Sequence, residues 1–146
     1  MRGVELTTTD IAPTDAAMAT DVAPLIRTLR PGLTEDAFTT FATRAHAQGL
    51  VFTAGYDPVG TCLAVATHRV LATSRGLLLY VDDLVTAEHA RSGGVGARMF
   101  AVLEARARAA GCTRIELDSG VTNHHAHRFY HAHRMAITAL HFGQAL

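Results

Sequence analysis

The sequence predicts an α/β fold of the α+β type, with a mixed, mostly antiparallel sheet of about six strands and helices on both faces. Three observations support this class. An apolar run ending at Thr86 leads through a glycine-rich turn into an amphipathic helix. Two further apolar runs, 50–56 and 62–70, flank the turn residues 57–60 and indicate a hairpin. Helical apolar spacing follows Thr34.

Spacing and capping residues define the elements of the N-terminal half. Residues 3–9 predict a first strand, and residues 21–30 predict a short helix that Pro31 stops. Thr34 predicts the N-cap of a second helix, which has an acidic first turn and ends at Gln48. The apolar side chains of this helix recur at i, i+3, i+4 and i+7: Phe38, Phe41, Ala42 and Ala45. The hairpin strands and a longer strand, 76–86, follow.

The C-terminal half alternates helices and strands. The glycine-rich turn opens a helix that Gly111 ends. Its predicted buried stripe consists of Val95, Met99, Val102 and Leu103. A strand over 113–118, a helix over 123–134 and a last strand over 137–142 complete the order β-α-α-β-β-β-α-β-α-β.

Composition narrows the class of protein. With 146 residues, 49% of them hydrophobic, the chain predicts one compact domain over residues 1–146. The 13 basic and 13 acidic residues cancel, so no charge excess favours nucleic acid or a membrane surface as a partner. Cys62 and Cys112 lack CxxC spacing and are expected to be reduced. No apolar leader or membrane span is evident, and we expect a cytoplasmic protein.

The glycine-rich turn predicts an anion site. Backbone N–H groups at a helix start lack intrahelical partners and lie at the positive end of the helix dipole. The turn, Arg91-x-x-Gly94-x-Gly96, differs in spacing from both the dinucleotide fingerprint and the P-loop. Taken alone, it also fits an ordinary strand-to-helix connection.

Roughly thirty residues after this turn the chain reads Asn123-x-x-Ala126-x-x-Phe129-Tyr130. Together, the two motifs resemble the GNAT superfamily of N-acetyltransferases, over residues 77–135. The resemblance implies the acetyltransferase fold and acetyl-CoA as cosubstrate. Its pyrophosphate would bind at Arg91, Ser92, Gly93, Gly94, Val95 and Gly96. Its pantetheine arm would follow Leu84, Val85 and Thr86, and the later helix would contribute Asn123 and Tyr130.

The resemblance also implies two catalytic residues. Tyr130 would hydrogen-bond the leaving thiolate, and Asp82 would point toward the acceptor amine. An amine with a pKa near 10.4 is protonated at pH 7, and its deprotonation costs about 4.6 kcal/mol, so a base assists. Period-2 alternation predicts Tyr80, Asp82 and Leu84 on one face and Val81, Asp83 and Val85 on the other.

Other roles for these side chains remain open. Asp82 and Asp83 could be structural, one of them pairing with an arginine. His68 and His141 are alternative bases, because neutral histidine suits that task. His127 and His131 have i, i+4 spacing that can bind zinc, but residue 128 is Arg, no HExxH motif is present and no third ligand is evident. No metal is expected.

The resulting prediction is an acetyl-CoA-dependent N-acetyltransferase that moves an acetyl group directly to an amine of a small molecule or peptide. The alternative is a non-catalytic acyl-CoA-binding regulatory module. GNAT proteins usually have a seventh strand, for which this sequence has no room. Because an uncovered edge strand invites pairing, we expect a homodimer that closes the sheet through residues 137–142.

Overall fold

Five strands and four helices make up residues 3–146, the part of the chain that this computed structural model describes. The chain divides into two compact units at Glu116. The elements up to that point are β1 Thr7–Ile11, α1 Ala23–Leu29, α2 Glu35–Ala47, β2 Val51–Tyr56, β3 Cys62–Thr73, β4 Gly76–Thr86 and α3 Val95–Ala109. They are followed by β5 Arg114–Leu117 and α4 His124–Ala132. The single domain over 1–146 stays a prediction.

The sheet has the strand order β1-β2-β3-β4-β5, and its first three pairs are antiparallel. Helix α3 connects β4 to β5, and the N–H of Thr113, just before β5, donates to the carbonyl of Leu77 at the start of β4. Strand β5 therefore begins beside the start of β4 and runs in the same direction. The sheet is mixed and mostly antiparallel, as predicted.

Helices cover both faces of the sheet. Phe52 and Ala54 of β2 pack into the core formed with α1 and α2. A Cβ on Gly55 would lie 2.8 Å from the sulfur of Met99, which belongs to α3. Because successive strand residues face opposite sides, α3 lies on the other face from α1 and α2. This confirms the predicted layering.

A bulge in β4 overturns the predicted alternation of its side chains. Thr67 pairs with Asp83, but the next residue of β3, His68, pairs with Val81, so Asp82 is an extra residue. Adjacent residues of β3 face opposite sides, and Val81 and Asp83 therefore do so as well. The prediction that Val81 and Asp83 share a face is wrong, because a bulge shifts the pairing by one residue.

Most predicted helix signals are confirmed. The hydroxyl of Thr34 accepts from the N–H of Ala37 at 3.1 Å, so Thr34 is the N-cap of α2. The first helix is preceded by a π-helical turn over residues 18–22, and the first strand begins at Thr7 rather than at residue 3. None of the helices within residues 3–146 is long and apolar enough to span a bilayer.

The predicted last strand is wrong. Residues 137–142 form no strand, and the described chain has five strands rather than six. Alternating polarity marks a segment that can form a strand, but a strand also needs a hydrogen-bonding partner. The apolar side chains of this segment, Ile137, Leu140 and Phe142, are exposed.

Candidate active site

The turn before α3 has the backbone geometry of an anion site. Gly94, the N-cap, has φ of 81°, in the left-handed region that favours glycine, and no side chain caps the helix. The first helical hydrogen bond runs from the N–H of Arg98 to the carbonyl of Gly94. The amides of Val95, Gly96 and Ala97 precede it and point out of the helix start. Arg91, Ser92, Gly93 and Gly94 are exposed.

The second half of β4 has an open edge beside this turn. Strand β5 is only four residues long and starts next to Leu77, so it extends along the first half of β4. Across the opposite edge, Leu84, Val85 and Thr86 pair with β3. Among the five strands of residues 3–146, no other one lies along the end of β4. The backbone groups of these residues that point away from β3 can therefore bind an extended ligand.

The two adjacent acids of β4 have different partners. Asp82 accepts two hydrogen bonds of 3.1 Å from the guanidinium of Arg69, and the two side chains are 26% and 23% exposed. Asp83 accepts one of 2.9 Å from the hydroxyl of Thr67, which is fully buried. Since Thr67 and Arg69 are two residues apart in β3, both carboxylates bond to side chains on one face of that strand.

Burial raises the pKa of Asp83 above its ordinary value, although the Thr67 hydrogen bond and the charges of Arg30 and Arg69 act to lower it. Asp83 lines a cleft of about 690 Å³. Helix α1, the loop after it and helix α2 provide the other walls, with the residues Ile26, Leu29, Arg30, Pro31, Gly32, Leu33 and Phe41. A half-buried acid therefore faces an apolar cleft.

In the second unit, Asn123 and Tyr130 belong to α4. Asn123 is the N-cap, and its side-chain oxygen accepts from the N–H of Ala126 at 3.2 Å. Tyr130 packs edge-on against Phe129, with 5.4 Å between ring centres. Burial raises the pKa of the Tyr130 phenol. A neutral phenol is therefore maintained as a hydrogen-bond donor at neutral pH.

The histidines considered as bases or metal ligands differ in burial and in their neighbours. His68 is buried, and its pKa is lowered by burial and by Arg106 of α3, so it lies on the opposite face from Asp83. His127 contacts the carbonyl of Gly120 at 2.8 Å, and His131 contacts that of Met135 at 3.1 Å. His141 lies 3.0 Å from Asp118. Within residues 3–146, no group of three His, Cys, Asp or Glu side chains could hold a metal ion.

The alternative that one of the two acids pairs with an arginine is confirmed by the Asp82–Arg69 ion pair, but the sequence identifies neither the partner residues nor the cleft wall. Thr67 and Arg69 lie in an apolar strand, where nothing in the sequence marks them as facing Asp83 and Asp82. The loop after α1 was recognised only as a helix stop. The one available signal was the unusual presence of two consecutive acids inside a strand.

Comparison with protein families identifies the chain. The family model described as acetyltransferase (GNAT) family matches residues 20–134. The chain belongs to the GNAT acetyltransferase family. This result agrees with the strand, turn and helix described above. Gly94 and Gly96 of that turn are part of the motif on which the resemblance to GNAT proteins is based.

Solved GNAT structures share the fold at low sequence identity. An aminoglycoside N-acetyltransferase in complex with CoA has a TM-score of 0.82 and 15% identity, with 99% of this chain and 97% of that chain covered. An acetyltransferase from Trypanosoma brucei has a TM-score of 0.75, 20% identity and coverage of 97% and 100%. Glucosamine-6-phosphate N-acetyltransferase from Arabidopsis thaliana has a TM-score of 0.73, 16% identity and coverage of 97% and 98%. No curated protein sequence matches significantly.

Proposed function

We propose that this GNAT protein is an acetyl-CoA-dependent N-acetyltransferase that moves the acetyl group directly to an amine of a small molecule or peptide. The main support for this proposal is the start of α3, which follows Gly94 in a left-handed conformation and has no side-chain cap. Its backbone amides can therefore bind a pyrophosphate. The structural neighbour solved with CoA supports the choice of cofactor.

The cofactor would bind along a continuous stretch of the first unit. Its pantetheine arm adds to the open edge of β4 at Leu84, Val85 and Thr86. Its pyrophosphate lies at the exposed turn, on the backbone of Arg91, Ser92, Gly93, Gly94, Val95 and Gly96. The resemblance to GNAT proteins adds Asn123 and Tyr130 to the proposed cofactor-binding residues.

The proposed reaction needs a base and a partner for the leaving group. A carboxylate of the Asp82–Asp83 pair takes a proton from the ammonium group, directly or through a water molecule. The neutral nitrogen then attacks the thioester carbonyl, the carbon–sulfur bond breaks, and the phenol of Tyr130 hydrogen-bonds the thiolate. Neither Cys62 nor Cys112 takes part, and burial raises the pKa of the Cys62 thiol to about 11, so it is a poor nucleophile.

Two further proposals concern the oligomeric state and the cellular location of the protein. We infer a homodimer, because Ile137, Leu140 and Phe142 are exposed apolar side chains that a second copy would cover. We also propose a cytoplasmic location, because Cys62 and Cys112 are both free thiols. Sedimentation velocity on the wild type and on a Phe142→Ser variant tests the dimer, which the substitution is expected to weaken.

Acetyl-CoA binding and thiol release together test the proposed function. Calorimetry should show one acetyl-CoA per chain, and free CoA should appear only when an accepted amine is present. Binding without thiol release across monoamines, amino acids, polyamines, aminoglycosides and peptide N-termini would favour the non-catalytic module. Absence of binding would reject both functions.

A further inference from the structure

The cleft of about 690 Å³ between α1, α2 and β4 is large enough for a small-molecule ligand. Its rim is held in place: the Arg27 side chain donates to the carbonyl of Leu33 at 2.7 Å, and the N–H of Leu33 donates to the carbonyl of Arg30 at 2.9 Å. The cleft is therefore preformed, and a ligand does not have to order the loop between α1 and α2.

The side chains that line the cleft are apolar, with two exceptions. Leucine, isoleucine, proline and phenylalanine side chains form most of the surface, and only Asp83 and Arg30 carry charge. The two charges cancel, so the cleft has no net attraction for a molecule with several positive charges. A polycation would find one carboxylate, one repelling guanidinium and no further polar side chain among the lining residues for its remaining ammonium or hydroxyl groups.

Asp83 is arranged to receive one polar group at the sheet end of the cleft. Thr67 donates to Oδ2 of Asp83, and within residues 3–146 no hydrogen bond reaches Oδ1. In Asp82, by contrast, Arg69 occupies both carboxylate oxygens. Of the two acids, Asp83 has the oxygen that can contact a ligand in the cleft.

We propose that the acceptor is a primary amine with a single positive charge and an apolar body, that the body occupies this cleft, and that Oδ1 of Asp83 contacts the amine nitrogen. The inference rests on the proposed function, which it deepens by naming the substrate class. It differs from the chemistry of aminoglycosides, the acceptors named for two of the structural neighbours, because those molecules carry several amines and hydroxyls.

The step is balanced by the groups already named. The ammonium gives one proton to Asp83, which returns it to solvent, and the nitrogen lone pair forms the bond to the acetyl carbon. The carbon–sulfur bond breaks, and its electron pair leaves with sulfur. The second proton lost by nitrogen neutralises the thiolate, so acetyl-CoA and the amine become CoA and the acetamide.

Thiol release with linear primary alkylamines, from propylamine to heptylamine, tests the apolar body. We expect kcat/KM to rise between about twofold and fourfold per methylene, because burying one CH₂ contributes up to about 0.8 kcal/mol. A flat series, together with faster turnover of spermidine or an aminoglycoside, would overturn the substrate class but leave the acetyltransferase function intact. If none of the tested amines supported thiol release, the proposed function itself would be rejected.

A charge placed on the cleft wall provides an independent test. Leu29 lines the cleft and is 36% exposed, so Leu29→Glu should fold. Val59, which is 86% exposed in the turn between β2 and β3, offers the matched control Val59→Glu. We expect Leu29→Glu to shift the ratio of spermidine to hexylamine turnover at least tenfold toward spermidine, and Val59→Glu to leave it unchanged. Equal ratios in both variants would overturn the assignment of the cleft.

Discussion

Asp82 and Asp83 are consecutive residues of β4, yet their carboxylates bond to Arg69 and Thr67, which share one face of β3. The bulge at Asp82 makes this possible, because it adds a residue without a counterpart on β3. The two acids therefore have the two different roles, ion pairing and contact with the cleft, that the sequence does not assign between them. One acid is neutralised in an ion pair, and the other faces the cleft.

Asp83→Asn should lower kcat on the order of 100-fold, since removing a general base typically costs 10²- to 10⁴-fold. The substitution keeps the size of the side chain and an oxygen that can accept from Thr67. Asp82→Asn is the matched variant and should lower kcat less than tenfold. Steady-state thiol release measures both.

The reverse order of these effects would return the base to Asp82, the residue that the sequence predicts. The pH profile gives a second criterion. The pKa of Asp83 is raised, so kcat/KM of the wild type should fall as pH decreases through that raised pKa, and this acidic limb should disappear in Asp83→Asn.

The same shift makes the protein's stability depend on pH. In the unfolded chain Asp83 loses its proton near 3.8, whereas in the folded protein burial raises that pKa. Between the two values the folded state binds more protons, so the contribution of Asp83 to stability falls as pH rises and stays lower above the folded pKa. Asp83→Asn should therefore gain stability relative to wild type between pH 4 and pH 7. Urea denaturation of both proteins at pH 4 and at pH 7 measures their free energies of unfolding. A difference between variant and wild type that is the same at both pH values would contradict the raised pKa of Asp83.

Gly94→Ala should raise KM for acetyl-CoA about three- to tenfold. A Cβ at φ of 81° costs roughly 1–2 kcal/mol, and relief of that strain displaces the amides at the start of α3. Gly111, beyond the other end of α3, has φ of 77° and gives the control Gly111→Ala. Both variants should lose similar stability in thermal unfolding, but Gly111→Ala should keep the KM. Equal KM values would argue against the phosphate site.

Tyr130→Phe should lower kcat about 10- to 100-fold with little change in KM for acetyl-CoA. The variant loses the hydrogen bond to the leaving thiolate, and a hydrogen bond to a charged group contributes about 1.5–3 kcal/mol. Tyr56, whose hydroxyl donates to Asp21 at 2.6 Å in the first unit, provides the control Tyr56→Phe. A kcat for Tyr130→Phe equal to that of the control would remove Tyr130 from the mechanism.

Arg106→Met should destabilise the fold by about 1–3 kcal/mol. Its guanidinium donates to the hydroxyl of the buried Thr53 at 2.8 Å and lies 2.7 Å from Asp10, so it links α3 to β1 and β2. Arg108 of the same helix forms an exposed pair with Glu104 at 3.6 Å. Arg108→Met should cost less than about 0.5 kcal/mol. Chemical denaturation compares the stability of the two variants, and equal losses would contradict the role of the network formed by Arg106, Thr53 and Asp10.

Local signals predicted much of the fold and the backbone geometry of the turn at Gly94. The Thr34 cap, the extent of β4 and the Gly94 turn could be recognised because each depends on residues within a few positions of one another. The strand predicted over residues 137–142 is absent because strand formation requires a partner that the sequence does not specify. Arg69 and Thr67 were missed because their contact with the acids spans 13 and 16 residues.

By itself, the sequence determined the family and the position of the proposed phosphate site, since backbone conformation at Gly94 follows from local residue types. Only the tertiary structure decided which acid faces the cleft. A one-residue bulge reversed the alternation of β4, and the packing of α1 and α2 enclosed Asp83 in apolar surroundings. Both effects arise from pairing between distant segments, and side-chain periodicity within a single strand carries no information about them.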